Sequence, residues 1–145
     1  MPIDNLESFV SNLETFARTL APGPLLLFRK KMFILALDGV VKTTAVKSGR
    51  ARGNWQYSEA APVANEVPES RWDTQGAKTI AQEGGKADRG IQDPFGVSFL
   101  VNNVPYAERL EHGWSRRHPD GMVGVTLRRL NRMLERGLAA KEVGL

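Results

Sequence analysis

Residues 47–58, Lys-Ser-Gly-Arg-Ala-Arg-Gly-Asn-Trp-Gln-Tyr-Ser, stand where one kind of periodicity gives way to another. Gly49 and Gly53 tolerate backbone conformations that other residues resist, so they can turn the chain from a helix into a strand while Arg50 and Arg52 project beside the turn. From Asn54 to Ser58 polar and aromatic side chains alternate, the period of a half-buried strand. Upstream the spacing is helical. Leu6, Phe9, Val10, Leu13, Phe16, Ala17 and Leu20 recur at three- and four-residue steps, with Asp4 as a candidate N-cap and Glu7 in an acidic first turn. Ala21-Pro22-Gly23-Pro24 breaks that helix, and a second one is expected over roughly residues 24–43. Phe28, Met32, Phe33, Leu35, Leu37, Val40 and Val41 make it apolar around most of its circumference, as suits a helix sandwiched between other elements.

Downstream, Pro62, Pro68, Glu59, Glu66 and Glu69 mark residues 59–73 as an exposed loop. A short helix is expected from Ala77 to Gln82, ending at Gly84-Gly85. Val97 to Val101 reads as a strand bounded by Gly96 and by Asn102-Asn103. A long C-terminal helix is expected from about residue 120 to 141, with Val123, Leu127, Leu130, Leu134 and Leu138 in one stripe and Arg128, Arg129, Arg132 and Arg136 elsewhere. The fold class that follows is α+β: an N-terminal helical hairpin, a small antiparallel sheet of two to four strands backed by helices, and the long last helix. Residues 1–145 form one domain in this reading, with residues 1–22 able to stand as a peripheral arm. An exposed sheet edge could be completed by the 59–73 segment or by a neighbouring subunit.

The chain has 145 residues, 41% of them hydrophobic and 25% charged, the composition of a globular domain. It has no cysteine, which removes disulfides, thiolate catalysis and cysteine metal sites. The N-terminal stretch lacks a basic region followed by an apolar one, so a secretory signal is not expected. Arg29, Lys30, Lys31 and Asp38 interrupt the most apolar segment and make a membrane span costly. A net charge of +4 suits an acidic partner or nucleic acid.

Catalytic chemistry finds little support. Glu108, Glu111, His112 and His118 are the one cluster suited to acid–base work, but charged residues at helical spacing are more often a solvated face or ion pairs. The two histidines lie six apart across Trp114 and Pro119, which is not a zinc-binding spacing. Ser115 lacks the second glycine of a nucleophile elbow, and Gly84-Gly85 lacks the ending of a phosphate loop. No cofactor is implied. Basic residues beside Trp55 and Trp114 leave a DNA-binding accessory protein as an alternative, with cations on phosphates and aromatics on bases.

Two motifs resemble those of one family. Lys47-Ser48-Gly49-Arg50-Ala51-Arg52-Gly53-Asn54-Trp55 is similar to the Thr-Gly-Arg-x-Arg-Gly-Asn/Ser-Trp signature of small tail components of long-tailed bacteriophages. Asn102 to Ser115 is similar to that family's Asn-x-x-Pro-Tyr-Ala-x-x-Leu-Glu-x-Gly run, in the same order and spacing. Lys47 stands where the family usually carries an acidic residue. The resemblance implies a structural virion protein related to tail-completion and head-to-tail joining proteins, including lambda-like minor tail proteins. Made in the host cytoplasm, such a subunit belongs to the virion neck as a ring, often hexameric. Its partners are a head-completion or connector protein and a tail terminator or tail tube protein. DNA passes through the ring without sequence-specific binding, and no membrane or catalysis is involved. The expected interface residues are Arg50, Arg52, Trp55, Glu108, Glu111, Trp114, Arg116 and Arg117, with an ion pair between an arginine of the first motif and Glu111, within or between subunits.

Overall fold

A computed structural model describes residues 5–137 of the chain. Its architecture is α+β, with helices packed around a two-stranded antiparallel sheet. α1 spans Leu6–Ala17 and α2 spans Pro22–Thr43, joined by the break at Pro22 that starts the second helix. The candidate N-cap Asp4 lies outside the described residues, and Asn5 takes the cap position.

α2 is the spine of the fold. Phe28, Met32, Leu37, Val40 and Val41 are all buried, on more than one side of the helix. Near its start, Phe28 and Met32 form a cluster with Leu130 and Leu134 of the last helix, α6, Val123–Glu135. Phe9, Leu13 and Phe16 of α1 close over that cluster, with the Phe16 and Phe28 ring centroids 4.9 Å apart. Asn12 donates to Asn131 at 2.6 Å, and Asn131 donates to Ser8 at 2.9 Å, so α1 is tied along α6 as well as α2. None of its residues is fully buried. The expected start of α6 near residue 120 moves to Val123 because Pro119 to Gly121 form a turn; positions 138–141 of that expectation lie outside the described residues.

After α2 comes the single-turn helix α3, Arg50–Gly53, and then β1, Trp55–Glu59. β1 pairs with β2, Ser98–Asn102, in a register that sets Trp55 opposite Asn102 and Glu59 opposite Ser98. Between the strands, residues 60–76 hold only a 3-10 turn at Glu69–Arg71, and most of residues 60–70 are exposed, as a loop there requires.

α4, Ala77–Gly90, runs past the two glycines expected to end it. Gly84 belongs to a buried face, where an added Cβ would lie 3.2 Å from Ile34 Cδ1 and 3.8 Å from Leu37 Cδ2. Close approach to α2, rather than helix termination, accounts for a glycine there. Glu83 is fully buried beside it and accepts from the Tyr57 N–H at 2.9 Å, with Lys86 at 2.8 Å and Arg71 at 3.2 Å. That carboxylate occupies an outward backbone donor of β1, and the two cations offset its burial.

Candidate functional site

The turn between α2 and β1 is built on backbone contact. Gly49 has φ 86, and a Cβ there would lie 2.7 Å from the Asp73 backbone. Gly53 sits in α3 and needs space instead: its Cβ would lie 2.5 Å from the Arg71 carbonyl oxygen. The glycines thus let the 71–74 backbone lie against the turn, sealed by the Asp73 N–H donating to the Gly49 carbonyl at 3.0 Å. Asn54 is fully buried, donates to the Arg50 carbonyl and accepts from the Val67 N–H, both at 2.8 Å. One amide therefore closes α3 and pins the long loop to it. Asp73 caps the entry to α4, accepting from the N–H groups of Gln75, Gly76 and Thr79 and from the Thr79 hydroxyl at 2.8–3.1 Å. Burial pushes the Asp73 carboxyl up, but these donors outweigh it and hold the pKa below the usual carboxylate value.

The second motif lies directly on the first. Asn102 donates to the Ala51 carbonyl at 2.8 Å and accepts from the Val104 N–H at 3.3 Å, turning the chain out of β2. Asn103 donates to the carbonyls of Val63 at 2.8 Å and Asn65 at 3.1 Å. Arg50 lies near the Tyr106 and Trp72 rings, at 5.6 and 6.0 Å from their centroids. Its Nε and Nη2 grip both oxygens of Glu66 at 2.9 and 2.8 Å. That two-bonded pair raises the Arg50 pKa and lowers that of Glu66.

α5, Ala107–Glu111, divides the expected interface residues into two groups. On one side a cavity of about 560 Å³ gathers Arg50, Trp114, Arg116 and Arg117, together with Lys47, Tyr106 and an apolar floor of Val46, Ala51 and Leu110. On the other, a cavity of about 460 Å³ is lined by Trp55, Glu108, Glu111 and His112. Arg52 belongs to neither, since it donates to the Thr44 carbonyl at 2.8 Å and the Thr74 carbonyl at 2.9 Å. Burial lowers its pKa, with Asp73 opposing. Arg52 is thus a brace for the turn.

The expectation for Trp55 is corrected, and that of a Glu111 ion pair is corrected for contacts within the chain. Trp55 is 4% exposed, and its indole N–H donates to the Thr44 hydroxyl at 2.7 Å, so it is a core residue rather than part of an outer surface. Glu111 accepts from the N–H groups of Met122 at 3.0 Å, Val123 at 2.7 Å and Gly124 at 2.9 Å, the free donors at the start of α6. Its carboxylate is spent on that helix, and within the chain it forms no pair with Arg50 or Arg52. Glu66, sixteen residues from Arg50 along the loop, takes the partner's role instead. The acidic loop was visible in the sequence; the reach of Arg50 across it was not.

Trp114 keeps 66% of its surface exposed, with the Arg109 guanidinium 4.9 Å from its ring centroid. No ion pair among the described residues involves Lys47, Arg116 or Arg117. His118 follows them; burial, then the charges of Arg52 and Arg117, lower its pKa and favour the neutral ring. Among the described residues no three His, Asp or Glu side chains are grouped to hold a metal ion, and no helix is long and apolar enough to cross a membrane. The arrangement offers positive charge and aromatic surface for binding. No protein-family model, curated protein or solved structure matches the chain.

Proposed function

We propose that this chain is a structural subunit of the neck of a long-tailed bacteriophage. It acts as a tail-completion or head-to-tail joining protein that assembles as a ring, of hexameric order, between the head connector and the tail tube. One observation carries the reading: the two motifs behind the resemblance form a single unit, with Trp55 opposite Asn102, Asn102 bonded to Ala51 and Arg50 beside Tyr106. Residues 47 apart along the chain are thus joined where the motifs meet. The exposed Phe95, Val97 and Trp114, at 73%, 60% and 66% of their surfaces, suit a chain that acts by contact with other subunits. Such a ring lets DNA pass without reading its sequence, and its work is assembly rather than catalysis.

The test is genetic. Removal of the gene from the phage or prophage that carries it is expected to leave filled heads and separate tails, with joining restored by the wild-type chain supplied in trans. Intact infectious virions without the chain would reject the proposal. The exposed Trp114 beside Lys47, Arg116 and Arg117 favours a DNA-binding accessory protein as the second reading. Tight, salt-dependent DNA binding by the isolated chain, with normal joining in its absence, would bring that reading forward.

A further inference from the structure

The cavity beside α5 is chemically one-sided. Among the described residues, Lys47, Arg50, Arg116 and Arg117 line it and no carboxylate does; of the four, only Arg50 is in an ion pair, with Glu66. Its apolar part is Val46, Leu110 and the exposed Trp114. A volume of about 560 Å³ is the size of a binding pocket. The ligand chemistry it fits is a short acidic surface with apolar side chains beside the charges.

The same chain displays such a surface. On α1, Leu6 and Val10 are 43% and 41% exposed and lie one turn apart. Glu7 and Glu14, two turns apart, are exposed on the adjacent strip, and Arg18 lies beyond the helix end. No ion pair among the described residues uses either glutamate. We infer that the cavity receives the outer face of α1 from a second copy of this chain, the glutamates meeting Lys47, Arg116 and Arg117 while Leu6 and Val10 cover Trp114 and Leu110. No residue of α1 lines the cavity, so the two surfaces are different and the contact runs head to tail, the kind that closes rings. Two helical turns bury little area, so each contact is weak alone and gains strength on ring closure. A nucleic-acid backbone fits less well, because the cations are gathered in one cavity instead of strung along a groove.

This inference rests on the ring reading for its setting, but its test is made on the isolated full-length chain. Sedimentation velocity over a concentration series should show self-association that weakens with salt. R116E/R117E and E7K/E14K should each weaken it at least about tenfold, while mixing the two variants, whose charges complement each other, should restore it. R116Q/R117Q, with circular dichroism unchanged, should give an intermediate loss. A wild-type chain that stays monomeric, reversals without effect, or a mixture that fails to associate would overturn the inference. So would reversals that abolish DNA binding and leave self-association intact. Joining of heads and tails is read separately: a chain that joins them normally with either reversal alone in place loses this contact but keeps its place in the neck.

Discussion

Glu111 shows how a single side chain changes meaning once its partners are known. Its spacing from Glu108 and His112 suits a charged helical face, yet the carboxylate holds three backbone N–H groups at the start of α6. Hydrogen bonds to a charged acceptor contribute more than neutral ones, and their loss strands donors that are partly buried. Glu111→Ala is expected to lower stability by about 2 kcal/mol. Glu111→Gln, which keeps one oxygen acceptor, should cost less, and urea denaturation followed by circular dichroism measures both. An equal, negligible cost for the two would mean that the cap is idle. Nothing in the sequence pointed from Glu111 to residue 122, because a cap formed across a loop leaves no periodic trace. Trp55 was legible only in part: its alternation with Gln56 and Tyr57 marked a half-buried strand, but not that Trp55 itself lies in the core instead of at an interface.

At the scale of elements, the helical hairpin, both strands and the start of α6 follow from the spacing of apolar residues, each within a few positions of its observed bounds, while α6 ends at Glu135, short of the expected residue 141. α4 followed at its start, Ala77, but not at its end, since its glycines read as punctuation while the packing of α2 against Gly84 makes that glycine an interior position. The turn before α4 carries a pH dependence. Asp73 titrates below the usual carboxylate value in the folded chain, so its stabilisation is complete above about pH 4 and is lost as the pH falls through the depressed folded value. Asp73→Asn is expected to lower stability by about 1–2 kcal/mol at neutral pH, with the gap from wild type narrowing on acidification. Denaturation midpoints across that range check the sign. A gap that widens in acid would show that Asp73 is not held ionised by its donors.

For the whole molecule, the two quoted motifs carried the functional reading, and the structure supplies their physical connection: a glycine turn packed on backbone, asparagines bonding to carbonyls across it, and Arg50 beside an aromatic of each flanking segment. The division of the expected interface into a basic cavity and a remainder, in which Trp55 is buried, Arg52 and Glu111 are bound to backbone and Glu108 is exposed, could not be read from spacing, because it depends on which side of α5 each residue falls. In the proposed role this unit is a scaffold that presents Trp114, Arg116 and Arg117 outward for assembly. Electron cryo-microscopy of the particles made by the phage or prophage that carries the gene tests this most directly. It should find copies of this fold in a closed ring between the head connector and the tail tube, with the Trp114 loop buried at a subunit contact; a complete neck with no density for the chain would contradict the account.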